Sequence, residues 1–158
     1  MAFELKRASA EDAPLLAEMR LEMRRERETA VCTVSEDEFF RCNLAFFKTQ
    51  IAAGRFVAFI AYEGDRAAAC SGLSLEIHPP TYGNPGGKSG YVTNMYTRPA
   101  WRRRGLAALL LDRLAETARH EGCAVLRLNA SAMGKPVYLH YGFRPVEDEM
   151  VFDLPPGK

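Results

Sequence analysis

The chain has 158 residues, 47% of them hydrophobic and 26% charged, with a formal net charge of +1. That length fills one domain with a sizeable core and leaves too little for two, so residues 1–158 are expected to form a single domain. The balance excludes a general attraction to nucleic acid or anionic membrane, and no apolar run approaches a membrane span.

The N-terminus MAFELKRASAED is polar and lacks a signal-peptide core. Cys32, Cys42, Cys70 and Cys123 are scattered singly, with no Cys/His cluster. Neither a zinc site nor a disulfide framework is expected, and the thiols read as reduced groups in a cytoplasmic protein.

In chain order, Phe3 to Ala8 reads as a first strand. Ser9 with Asp12 resembles a capping box and opens a helix over about residues 10–28, with Leu15, Leu16, Met19 and Met23 on one face. Its far end carries Arg20, Glu22, Arg24, Arg25, Glu26, Arg27 and Glu28, which predicts a solvated face laced with i,i+4 ion pairs. Thr29 to Val34 reads as a loop. Ser35 with Glu38 caps a second helix that runs to about Ala53, and Gly54 is placed to end it.

Phe56 to Tyr62 is a strong strand, Glu63-Gly64-Asp65-Arg66 has hairpin chemistry, and Ala67 to Ile77 is the next strand. The connection HPPTYGNPGGKSG contains Gly83 to Ser89, which superficially suggests a phosphate-binding loop. The spacing between its glycines is one residue short and a strand follows where a helix is needed, so a long hairpin connection is the better account.

Tyr91 to Thr97 is β-branched and aromatic, and Pro99 ends its pairing. Arg102, Arg103, Arg104, Gly105, Leu106 and Ala107 follow. Leu106, Leu109, Leu110, Leu114 and Ala118 then mark one face of a third helix, to about Glu121. A strand, an arginine-rich turn and a helix start together predict an anion site. The opening amides of a helix have no partner within it, and its dipole places partial positive charge there. Gly105 removes the Cβ that would keep an anion away, and the arginines add fixed charge.

Val125 to Asn129 reads as a strand parallel to its predecessor. Pro136 opens a short helix through Tyr141, and Gly142 ends it. Phe143–Val146 and Met150–Leu154 are expected to form a terminal antiparallel pair. The fold class is α/β, with a mixed sheet in the order β-α-α-β-β-β-α-β-α-β-β and helices on both faces.

Two segments carry a resemblance. Thr97-Arg-Pro-Ala-Trp-Arg-Arg-Arg-Gly-Leu-Ala107 resembles the acyl-CoA motif V-x-P-x-x-R/Q-x-x-G-x-G/A of the GNAT superfamily of N-acetyltransferases. Val137-Tyr138-Leu-His-Tyr-Gly142-Phe143 is similar to that family's L-Y-x-x-x-G-F signature. The resemblance implies acetyl-CoA as donor, a small-molecule or peptide amine as acceptor, and a splayed central parallel strand pair. Family members are often dimers, so a homodimer is among the expected assemblies.

Carried over by position, Met95, Tyr96 and Thr97 would offer backbone groups to the pantetheine arm. Arg103, Arg104, Gly105, Leu106, Ala107 and Ala108 would hold the pyrophosphate, with Arg102 at the R/Q position. The family's asparagine on the approach to the last helix, part of the second cofactor wall, has no clear match: the segment is one residue short, and Asn129 and Ser131 are the two candidates. Tyr138 falls at the position of the general acid. The sequence departs from the pattern at Thr97, where many members have valine.

Amine acetylation needs a deprotonated acceptor, fixed donors for the oxyanion and a proton for the leaving thiolate. A tyrosine hydroxyl, with an ordinary pKa of about 10, can give that proton at neutral pH. A backbone N–H of Tyr96 or Thr97 is the expected oxyanion donor. Glu76 is the first candidate base, acting through water, with His78 beside it. Glu26, Glu28, Glu36, Asp37, Glu38, Glu147, Asp148 and Glu149 would give the acceptor side an acidic excess suited to a cationic amine. A non-catalytic acyl-CoA-binding module of the same fold is the alternative.

Overall fold

The computed structural model describes residues 2–27 and 33–157. Five strands form one sheet in the order β1-β2-β3-β4-β5: β1 Glu4–Arg7, β2 Phe56–Glu63, β3 Arg66–Ile77, β4 Lys88–Thr97 and β5 Leu126–Arg127. The first four pair antiparallel, and β5 joins β4 in parallel. Four α-helices accompany them: α1 Ala13–Arg25, α2 Glu36–Ala52, α3 Leu106–His120 and α4 Lys135–Tyr141.

β2 is buried along nearly its whole length, as a strand covered on both faces must be. Its side chains alternate between two cores. Phe56, Ala58 and Ile60 join Leu16, Met19 and Met23 of α1 and Phe47 of α2. Val57, Phe59 and Ala61 join Leu106, Leu110, Leu111 and Leu114 of α3. The period of two in β2 and the period of about 3.6 in α3 therefore meet on one side of the sheet.

The Ser9–Asp12 capping box is present, but it caps a short 3-10 turn at Ala10–Asp12 before α1 begins. Ser35 caps α2 through the Glu38 amide, and Gly54 follows it at φ 69°. The predicted loop from Thr29, together with Glu28 and Cys32, lies mostly outside the described residues.

Two expectations are corrected. The terminal antiparallel pair does not form: residues 143–157 have no regular strand, and Met150, Val151, Phe152 and Leu154 are exposed. Alternating composition cannot make a strand without a neighbouring backbone, and a lone two-stranded ribbon is marginal in water. Among the described residues, the charged end of α1 makes no i,i+4 ion pair either. Its carboxylates reach across to other elements: Glu18 and Glu22 to Arg98, and Glu26 to Arg102.

Candidate active site

The site is built around an irregularity in β4. Cys70 pairs with Tyr96 and Gly72 with Thr93, so Ser71 of β3 faces both Asn94 and Met95. That extra residue is a β-bulge. Asn94 takes the left-handed conformation at φ 54°, which asparagine tolerates better than most residues. The buried Cys70 thiol donates to the Asn94 carbonyl at 3.3 Å and ties the bulge down. Burial pushes this thiol's pKa up to about 12, so it stays protonated and keeps its donor.

Beyond the bulge, β4 loses its parallel neighbour. β5 pairs only at Gly90 and Tyr91, and the two strands part beyond that point. The Arg98 amide donates to Ala68 of β3. By alternation the Thr97 N–H points the other way, into the gap, whereas that of Tyr96 faces β3. Of the two expected oxyanion donors, the geometry presents Thr97.

The chain then turns through Pro99–Trp101 into α3. Arg103 at φ 60° and Gly105 at φ 79° bend the backbone. No side chain caps α3, so its opening amides stay available. A Cβ at Gly105 would meet nothing within 4 Å. This open cradle of amides fits a diphosphate.

The arginines contribute differently from the expectation. Arg102 donates to the Thr97 carbonyl at 2.9 Å and to Glu26 at 2.5 Å. Arg104 pairs with the nearly buried Glu63 at 2.8 Å, and Trp101 donates to the same carboxylate. Arg98 is held by Glu22 at 2.7 Å. These side chains brace the turn, and the charge they would lend an anion is already balanced. Among the described residues, Arg103 alone of Arg102, Arg103 and Arg104 has no carboxylate partner.

Glu26 is the hub of this bracing. Burial alone would raise its pKa, but the bonds from Tyr96 and Arg102 outweigh that and hold the carboxyl below its ordinary range. Tyr96 gives its hydroxyl to Glu26 at 2.7 Å, and its own pKa is raised first by burial and then by that bond. Its side chain is structural.

Tyr138 lines a cavity of about 170 Å³ between the end of α1, the β4 bulge and Asn129. Its ring packs edge-on against Phe143 with centroids 5.7 Å apart. Burial raises the phenol's pKa, opposed only by the charge of Arg27, so the group stays protonated at neutral pH. Met95 lines the same cavity, which brings three expected residues together.

Ser131 is engaged elsewhere, accepting the Gly134 amide at 3.1 Å where the chain enters α4. Ala108 lines a separate apolar groove of about 320 Å³ with Pro136, Val137, His140 and Tyr141. Glu76 sits near the end of β3, opposite Ser89, with His78 Nε2 3.1 Å from its carboxylate. It is not among the residues lining the Tyr138 cavity. Among the described residues, no group of His, Cys, Asp and Glu could hold a metal.

The sequence reading missed Arg20, Arg24, Arg27 and Asn94 as parts of this cavity. Arg20, Arg24 and Arg27 share a helix face by spacing alone, which was a usable signal. Asn94 gave none, because a bulge depends on the register of the partner strand.

The sequence profile of the Acetyltransferase (GNAT) family matches residues 17–143. The chain belongs to the GNAT family. GNAT acetyltransferases use acetyl-CoA. A predicted acetyltransferase of Clostridium acetobutylicum, solved with acetyl-CoA, superposes with a TM-score of 0.84 at 30% identity, covering 96% of each chain. A GCN5-related N-acetyltransferase of Ralstonia eutropha JMP134 gives a TM-score of 0.86 at 26% identity, covering 97% of this chain and 99% of that one. Glucosamine 6-phosphate N-acetyltransferase of Trypanosoma brucei brucei is 33% identical over 81 residues, 51% of this chain. This GNAT chain thus matches about half the length of that relative, 54%.

Proposed function

We propose that the chain is an N-acetyltransferase that moves the acetyl group of acetyl-CoA to a primary amine by direct attack in a ternary complex. One observation carries this reading: the splay of β4 from β5 runs from the open amide cradle at Gly105 to the protonated Tyr138.

In this reading the amides from Arg103 to Ala108 hold the diphosphate. Met95 and Thr97 line the path of the pantetheine arm, with Asn129 on the facing wall. Thr97 N–H serves the oxyanion, and Tyr138 returns a proton to the leaving sulfur. Glu76, acting through water, takes the proton of the amine. Residues 1–158 form one such domain and work in the cytoplasm. A second copy of the chain is the expected partner, supported by the exposed Met150, Val151 and Phe152 and by the edge position of β5 in the sheet.

The position of Glu76 outside the cavity favours a second reading, an acyl-CoA-binding module without catalysis. A thiol-release assay over a panel of amines separates the two. Turnover supports the enzyme. Uptake of acetyl-CoA with no release above the rate without amine supports the binding module.

A further inference from the structure

Resting on the acetyltransferase reading, we propose that the acceptor amine also carries an oxyanion, a carboxylate or a phosphate, and that Arg20, Arg24 and Arg27 bind it in the cavity beside Tyr138.

Arg20 and Arg24, four residues apart, share a face of α1, Arg27 follows just past its C-cap, and all three line the cavity. Like charges at this spacing repel. Their acidic neighbours on the helix do not relieve the repulsion, because Glu18 and Glu22 hold Arg98, Glu26 holds Arg102, and Arg25 is the residue that reaches Glu36. Among the described residues, none of the three arginines makes an ion pair. Arg20 makes one polar side-chain contact among the described residues, to Asn94 Oδ1 at 3.5 Å.

Burial, and then the charges of Arg24 and Arg27, lower the pKa of Arg20, so its guanidinium is poorly compensated. A desolvated cation is costly unless an anion meets it. The guanidinium fork matches carboxylate and phosphate oxygens in pairs. Arg102 and Arg104 of the α3 turn are balanced by Glu26 and Glu63, whereas none of the three cavity arginines has such a partner among the described residues.

The cavity has a second pole. Three residues back from Asn94, Tyr91 lines its wall, and its hydroxyl pKa is raised by burial and then by the nearby charges of Glu149 and Glu76. A cationic pole at α1 and an acidic one near Tyr91 suit a molecule with both an amine and an anion. The same field opposes a polycation. The proposal thus adds a basic cluster to the acidic excess expected on the acceptor side.

The test uses the full chain saturated with acetyl-CoA and matched acceptors, read by thiol release and by calorimetry. Phosphoethanolamine is set against ethanolamine, β-alanine against its amide, and spermidine stands for polycations. The two pairs separate phosphate from carboxylate. The expected result is that at least one anionic member exceeds its partner by about tenfold or more in kcat/KM, with spermidine below both. Arg24→Gln and Arg27→Gln, which sit nearer the helix end than Arg20, should raise KM for that acceptor by a similar factor.

Equal use of both members of each pair, a preference for ethanolamine or spermidine, or binding of no acceptor would overturn the proposal. So would glutamine variants that weaken coenzyme A instead of the acceptor. Failure of the underlying acetyltransferase reading shows separately, as no uptake of acetyl-CoA by the unaltered chain.

Discussion

Arg102, at the R/Q position of the acyl-CoA motif, points its guanidinium at Glu26 at 2.5 Å rather than toward an open anion site. The same side chain donates to the last carbonyl of β4. It acts as a clamp between the end of α1, the strand and the turn. Removing it with Arg102→Ala leaves the exposed Glu26 with one partner fewer. We expect a loss of about 1–3 kcal/mol, read by urea denaturation, together with weaker coenzyme A binding as the turn loosens.

Glu26, Glu36 and Glu63 are all held below the ordinary carboxyl range: Glu26 against its burial by Tyr96 and Arg102, Glu36 by Arg25, and Glu63 by Trp101 and Arg104. A depressed folded pKa adds stability that is complete above the unfolded value of about 4.3 and is lost as pH falls through the lower folded value. Melting temperature should therefore fall from about pH 5 to about pH 3, and Glu26→Gln should shrink that fall.

Tyr138→Phe removes the acid and leaves the ring packed on Phe143. kcat should drop by roughly 10²–10⁴-fold with the affinity for acetyl-CoA unchanged. An unchanged kcat would remove Tyr138 from the chemistry.

Gly105→Ala places a Cβ in the open cradle at a φ of 79°. The strain is about 1–2 kcal/mol. Coenzyme A affinity, measured by calorimetry, should fall by about tenfold or more, since the methyl group stands where the anion approaches.

Asn94 at φ 54° supports the bulge, so Asn94→Val should cost about 1–3 kcal/mol, whereas Asn94→Gly keeps the conformation available. Urea denaturation of the two variants distinguishes them.

Much of this fold was readable from residue order. Glu63-Gly64-Asp65-Arg66 specified a hairpin, and Gly54, Gly122 and Gly142 each mark a helix end with positive φ. Those features are local, set by turn chemistry and period. What escaped is non-local. Glu22 and Glu26 look solvated until β4 is placed beside α1, where they meet Arg98 and Arg102. The arginines on the same helix were read with them as one mixed surface, which hid the basic cavity. The tail failed for a related reason: Phe152 and its neighbours have strand composition but no backbone beside them in this chain.

Titration of the purified chain with coenzyme A by calorimetry tests the central claim most directly. The account predicts saturable uptake of one molecule per site, weakened by Gly105→Ala and unaffected by Tyr138→Phe. Absence of any heat of binding, or uptake indifferent to Gly105→Ala, would contradict it.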